Sequence, residues 1–177
     1  THRLTALHVA AEEGCAPLVE LLLRCDAAVH ADGREFDENG MRGVDRWDAD
    51  GKTPLLMAVC SGQPDVAKIL LDASADLFFE RKGRTLLSNA CQYGHDAVAR
   101  LLLERAAHRE EAEGKEPGSL MLNHKNVDHN TKDTPQLCIN IAARYGHIGT
   151  IRLLLEHKID LAWELTNDRY TTSLHRA

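Results

Sequence analysis

Four stretches of the chain repeat one order of apolar and polar positions. They are TALHVAAEEGCAPLVELLL from Thr5, TPLLMAVCSGQPDVAKILL from Thr53, TLLSNACQYGHDAVARLLL from Thr85 and LCINIAARYGHIGTIRLLL from Leu137. A fifth copy starts as TSLHRA at Thr172. Each stretch predicts two helices. The first is short, opens at a capping threonine such as Thr53 with Pro54 at the first helical position, and ends at a glycine that admits a left-handed backbone. Its paired small residues (Ala10 and Ala11, Ala58 and Val59, Ala90 and Cys91, Ala142 and Ala143) allow close stacking. The second helix carries an i, i+3, i+4 stripe: Val19, Leu22 and Leu23; Val66, Leu70 and Leu71; Val98, Leu102 and Leu103; Ile151, Leu154 and Leu155. Glu20, Lys68, Arg100 and Arg152 stand at equivalent positions and mark a solvent face.

The glycines Gly14, Gly62, Gly94 and Gly146 step by 48, 32 and 52 residues. The fifth start continues the series with a step of 35. A unit of about 33 residues accounts for the shorter steps, and segments of about 15 and 19 residues are inserted in the others. One such unit cannot bury its own stripe. Stacked units bury it between neighbours, so repetition is the means by which the core is built.

This pattern resembles the ankyrin-repeat family. The residues that carry the resemblance are T-P-L at Thr53, T-A-L-H at Thr5, T-S-L-H at Thr172, Y-G-H at Tyr93 and Tyr145, the repeated L-L-L, and S-A-D at Ser74 in place of the family's G-A-D. The resemblance implies an all-α solenoid of helix-turn-helix units with hairpin fingers. Repeats are expected over about 1–28, 48–78, 80–108 and 130–161, with a partial unit over 166–177 and insertions at about 29–47 and 109–129. They are expected to form one domain over 1–177, inside a longer protein. The family places glycine after the second helix, where this chain has Asp26, Ser74, Ala106 and Lys158. A left-handed backbone there is expected to cost on the order of 1 kcal/mol per site. Thr134-Pro135 stands three residues early for the alanines of its unit. Either that first helix gains almost a turn, or Thr134-Pro135 belongs to the connector.

The first connector holds seven Asp or Glu against three Arg. Its end, DRWDADG, fails as a calcium loop. With Gly51 in sixth place, Arg46 and Met57 occupy the first and twelfth positions, where carboxylates are required. A solvated insert is expected, one that a short linker could replace from His30 to Val44. The second connector extends a helix to about Glu113, with Gly114 as its stop. His124 and His129 then lie five apart, with Cys138 and His147 downstream. This is too sparse for a zinc site and reads as polar loop histidines. His8, His175, His95 and His147 fall in family framework slots that hydrogen-bond along the stack.

Composition narrows the function. The net charge of −6 argues against a nucleic-acid surface. No apolar run reaches bilayer length. Five cysteines without a C-x-x-C pair suit reduced thiols in a cytoplasmic or nuclear compartment. No nucleophile elbow, phosphate loop or zinc-protease motif is present, so neither catalysis nor a cofactor is expected within these residues. The eight aromatics lie outside the Leu and Ala ladder, with Phe78 expected to fold under its finger. Trp and Tyr are frequent interface hot spots. The expected function is therefore a monomeric, non-catalytic module that binds a partner protein through inner groove and finger tips. The candidate contacts are Glu13, Arg46, Trp47, Arg81, Gln92, Tyr93, Arg144 and Tyr145. The row Glu12-Glu13, Cys60-Ser61, Gln92-Tyr93, Arg144-Tyr145 runs from acidic to basic-aromatic, a gradient able to orient a ligand. The alternatives are a regulatory ankyrin region of a larger enzyme or channel, and a purely structural spacer.

Overall fold

The computed structural model describes residues 5–29, 43–114 and 138–157. The described residues form eight α-helices, one 3-10 turn and two strands of two residues each. The chain divides into two compact units, Thr1–Arg81 and Lys82–Ala177. In the first unit, α1 (Ala6–Glu12) and α2 (Ala16–Val29) form one helix pair, and α3 (Pro54–Cys60) and α4 (Pro64–Asp72) form the next. The first helices of the pairs pack on each other, as do the second helices. A 3-10 turn, Gly43–Asp45, lies against α2 and α3, and β1 (Glu80–Arg81) closes the unit. The second unit opens with β2 (Arg84–Thr85). It repeats the arrangement with α5 (Leu86–Tyr93) and α6 (Asp96–Glu113), then α7 (Cys138–Arg144) and α8 (Ile148–Glu156). Here α5 packs on α7 and α6 on α8.

The helix boundaries follow the expected chemistry. The Thr53 hydroxyl accepts from the Leu56 N–H at 3.2 Å, and Thr85 accepts from Ser88 at 3.1 Å. Each caps an N–H that the helix leaves unpaired. Gly94 ends α5 at φ +69°. The paired small residues of all four first helices are buried, and Glu20, Lys68, Arg100 and Arg152 are exposed.

Four expectations are corrected. Asp26 and Ala106 are not left-handed exits, because each lies inside a helix that runs on, α2 to Val29 and α6 to Glu113. Good helix formers follow Ala106, so the backbone keeps its i to i−4 bonds. Ser74 does adopt φ +65°. Lys158 lies outside the described residues.

The second correction concerns α8. Leu155 is 45% exposed, while Leu153, absent from the predicted stripe, is 2% exposed. The buried arc of α8 turns toward α6 and α7, the helices it packs against. Third, the first insert is not solvated throughout. Val44 is 7% exposed, because the 3-10 turn brings it onto α2 and α3. Fourth, Phe79 rather than Phe78 is the buried ring, and Phe78 is half-buried. Phe36, Trp163, Tyr170, His124, His129, His175, Thr134-Pro135 and the fifth copy lie outside the described residues.

Candidate functional site

The second unit places a run of polar and aromatic side chains along its first helices. Tyr93 and Tyr145 each stand just before the left-handed glycine that follows α5 or α7, and are 48% and 49% exposed. A tyrosine there has no core to enter, because the helix has already turned its small residues inward. Instead each ring stacks on the histidine two residues on. Tyr93 lies 5.9 Å from His95 with a 24° interplanar angle, and Tyr145 lies 6.4 Å from His147 at 16°. The Arg144 guanidinium carbon is 6.0 Å from the Tyr145 centroid. That distance suits a cation–π contact.

Histidine ties the two helix pairs of the unit together. His147 Nε2 lies 3.0 Å from the Gln92 carbonyl oxygen. A carbonyl only accepts, so Nε2 carries the proton and donates. The Gln92 side chain takes a hydrogen bond from Arg84 through Oε1. A connected strip therefore runs from Arg84 through Gln92 and His147 to Tyr145 and Arg144. Four predicted contact residues (Gln92, Tyr93, Arg144 and Tyr145) fall on or beside it. Arg84, His95 and His147 were absent from that prediction. The repeated Tyr-Gly-His is the sequence signal for the two histidines, since the glycine turns the chain so that the rings two apart face each other.

The other predicted contacts belong to the first unit. Glu13 is exposed at the C-terminus of α1. Arg46 is exposed, and Trp47 is 51% exposed. The indole meets buried Phe79 edge-on at 6.3 Å and 62°. One part of Trp47 is thus anchored while the rest faces solvent. Arg81 is half-buried in β1, with its guanidinium near Gly51. The stretch that mimics a calcium loop is a local turn. Asp48 Oδ1 accepts from the N–H groups of Asp50 and Lys52, both at 2.8 Å. Asp48 is thus spent on its own backbone. Fully buried His8 donates from Nε2 to the Lys52 carbonyl at 3.0 Å and takes the Thr5 hydroxyl at Nδ1 at 2.8 Å. The framework reading of His8 and His147 is the observed one.

Cys91 and Cys138 form a thiol pair. Cys91 is wholly buried on α5, and the half-buried Cys138 opens α7. The hydrogen bond with Cys138, then burial, pushes the Cys91 thiol well above its ordinary value. The neutral thiol is therefore the resident form. Among the described residues no three or more His, Cys, Asp or Glu side chains converge to hold a metal ion. No described helix is long and apolar enough to cross a membrane.

Comparison with known proteins bears on the whole arrangement. A profile of ankyrin repeats, in three copies, matches residues 7–113. The human B-cell lymphoma 3 protein is 30% identical over 159 residues, which is 89% of this chain and 29% of that protein. The Caenorhabditis elegans ankyrin repeat and KH domain-containing protein mask-1 is 30% identical over 113 residues, 62% of this chain and 4% of that protein. The chain thus spans under a third of these relatives. The crystal structure of the ankyrin repeat domain of Bcl-3, described as a unique member of the IkappaB protein family, superposes with a TM-score of 0.64 and 26% identity. It covers 90% of this chain and 59% of that one. With its repeated helix pairs, capped and turned as the motif requires, the chain belongs to the ankyrin-repeat family.

Proposed function

We propose that this chain is a non-catalytic protein-interaction module that holds a partner protein on the first-helix face of its repeats. The observation that carries this reading is the pair of half-exposed tyrosines, Tyr93 and Tyr145. Neither fills the core, both stack on a histidine, and Arg144 lies over one of them. Exposed aromatic surface next to arginine is the composition of binding hot spots, where truncation of one side chain costs roughly 2 kcal/mol or more. In the first unit Trp47 supplies a second anchor, with Arg46 beside it in sequence and Arg81 and Glu13 as polar contacts. The module acts as a monomer in the cytoplasm or nucleus and needs no cofactor.

The test compares two sets of variants in affinity capture from cell extract. Tyr93→Ala, Tyr145→Ala and Trp47→Ala should each lose captured protein while keeping the helical circular dichroism signal. Lys68→Ala and Arg100→Ala, on second helices, should retain it. The opposite outcome would assign binding to the second helices.

A further inference from the structure

The described acidic side chains of the second unit are sorted by helix, whereas arginines stand on α6 (Arg100, Arg105, Arg109) and α8 (Arg152) as well. From Lys82 to His95, through β2 and α5, there is no acidic residue. From Cys138 to His147, through α7, there is again none. The fixed charges on these two stretches are Lys82, Arg84 and Arg144, all positive and all exposed. Every described carboxylate of the unit stands on α6 or α8: Asp96, Glu104, Glu110, Glu111, Glu113 and Glu156. Asp96, the one closest in sequence to Tyr93, is turned to α8, where it takes the Thr150 hydroxyl.

We propose that the strip from Arg84 to Arg144 selects an acidic, extended polypeptide segment. The proposal rests on the reading of this face as a protein-binding surface and adds the chemistry of the partner. Each guanidinium offers a planar fork that matches a carboxylate with two charge-assisted hydrogen bonds. Arg84 is already aimed along the strip by Gln92, and Arg144 by the Tyr145 ring. Part of the ordering cost of binding is therefore met before the partner arrives. Between the two arginines the half-exposed Tyr93 and Tyr145 rings offer apolar surface to side chains between the carboxylates. A basic segment would meet three like charges and no counter-charge on these stretches. Single-stranded nucleic acid also likes aromatic and cationic surface, but it carries a phosphate at every nucleotide. That continuous charge exceeds the three cations of these stretches, whereas a few Glu or Asp side chains match them.

The experiment pans a random-peptide display library on the immobilised full chain. The best peptide is then measured by fluorescence anisotropy, with an oligothymidylate as competitor. Selected peptides should be rich in Asp and Glu, interleaved with aromatic or leucine residues. Replacing Glu by Gln in the best peptide should weaken it at least about tenfold, the scale of one charge-assisted pair. Arg84→Gln and Arg144→Gln should each do the same, and Arg100→Gln and Arg152→Gln should not. Selection of basic or neutral peptides that still depend on Tyr93 and Tyr145 would overturn the acidic preference and leave the binding face standing. Peptides indifferent to every one of these residues, or no selected peptide at all, would overturn both. Displacement of the peptide by oligothymidylate at lower concentration than by unlabelled peptide would reassign the strip to nucleic acid.

Discussion

His147 donates through Nε2 to the carbonyl oxygen of Gln92, 3.0 Å away and 55 positions earlier in the chain. The same ring lies over Gly94, where an added Cβ would come within 2.7 Å of its Cε1. Gly94 is therefore required twice, for its φ of +69° and for the approach of the histidine.

These two demands are separable by a double-mutant cycle. Gly94→Ala is expected to cost the second unit more than the 1 kcal/mol or so of a left-handed alanine, because the ring must also move. His147→Ala should cost about 1–3 kcal/mol through the unpaired Gln92 carbonyl. In the His147→Ala background Gly94→Ala should become milder, since the collision is gone and only the φ strain remains. Urea unfolding of the four proteins measures the coupling, and strict additivity would show that the ring does not press on Gly94.

Two helix exits that look alike in the repeat should respond oppositely to glycine. Ser74 is left-handed, so Ser74→Gly should stabilise by about 1 kcal/mol. Ala106 is buried in the interior of α6, so Ala106→Gly should destabilise by about 1 kcal/mol or more. Thermal melts of the two variants should move apart, and a shared sign would contradict the different backbone of the two sites.

The first insert should be divisible. Replacing His30 to Arg42 by a short Gly/Ser linker is expected to change the melting temperature little, since loop length costs little entropy. Val44→Ser, just beyond it, should lower stability by about 1–3 kcal/mol through a buried hydroxyl and lost apolar area. Differential scanning calorimetry distinguishes the two.

Cys91 makes stability depend on alkaline pH. Its thiol ionises above the ordinary value of 9.0 in the folded chain and at that value when unfolded. Above about pH 9 the unfolded state therefore binds fewer protons than the folded one, and stability falls as pH rises. The slope approaches about 1.4 kcal/mol per pH unit until the folded thiol also ionises. Cys91→Ala should lose this part of the slope, measured by urea unfolding between pH 8 and about pH 10. In native protein at pH 8, iodoacetamide should label the exposed Cys15 and Cys25 and leave Cys91 untouched until denaturant is added.

Repeat phase, helix pairs, capping threonines, glycine turns and the buried small-residue ladder were all written in the sequence. They are local or periodic, and a period of about 33 residues places equivalent side chains in equivalent environments. The exposure of Tyr93, Tyr145 and Trp47 was legible for the same reason: no core position was left for them.

Tertiary packing decided what depended on pairs of distant residues. It alone placed the Gln92 carbonyl under His147 and the Arg84 guanidinium on the Gln92 side chain. It also set Cys138 against Cys91 and Val44 against α2 and α3. It turned the buried arc of α8 from Leu155 to Leu153, and it distinguished Ser74 from Asp26 and Ala106, which share a slot in the repeat. A repeat pattern states which residues are alike. Hydrogen bonds and close approach depend instead on which unlike residues meet when one helix pair is laid on the next, and no period encodes that.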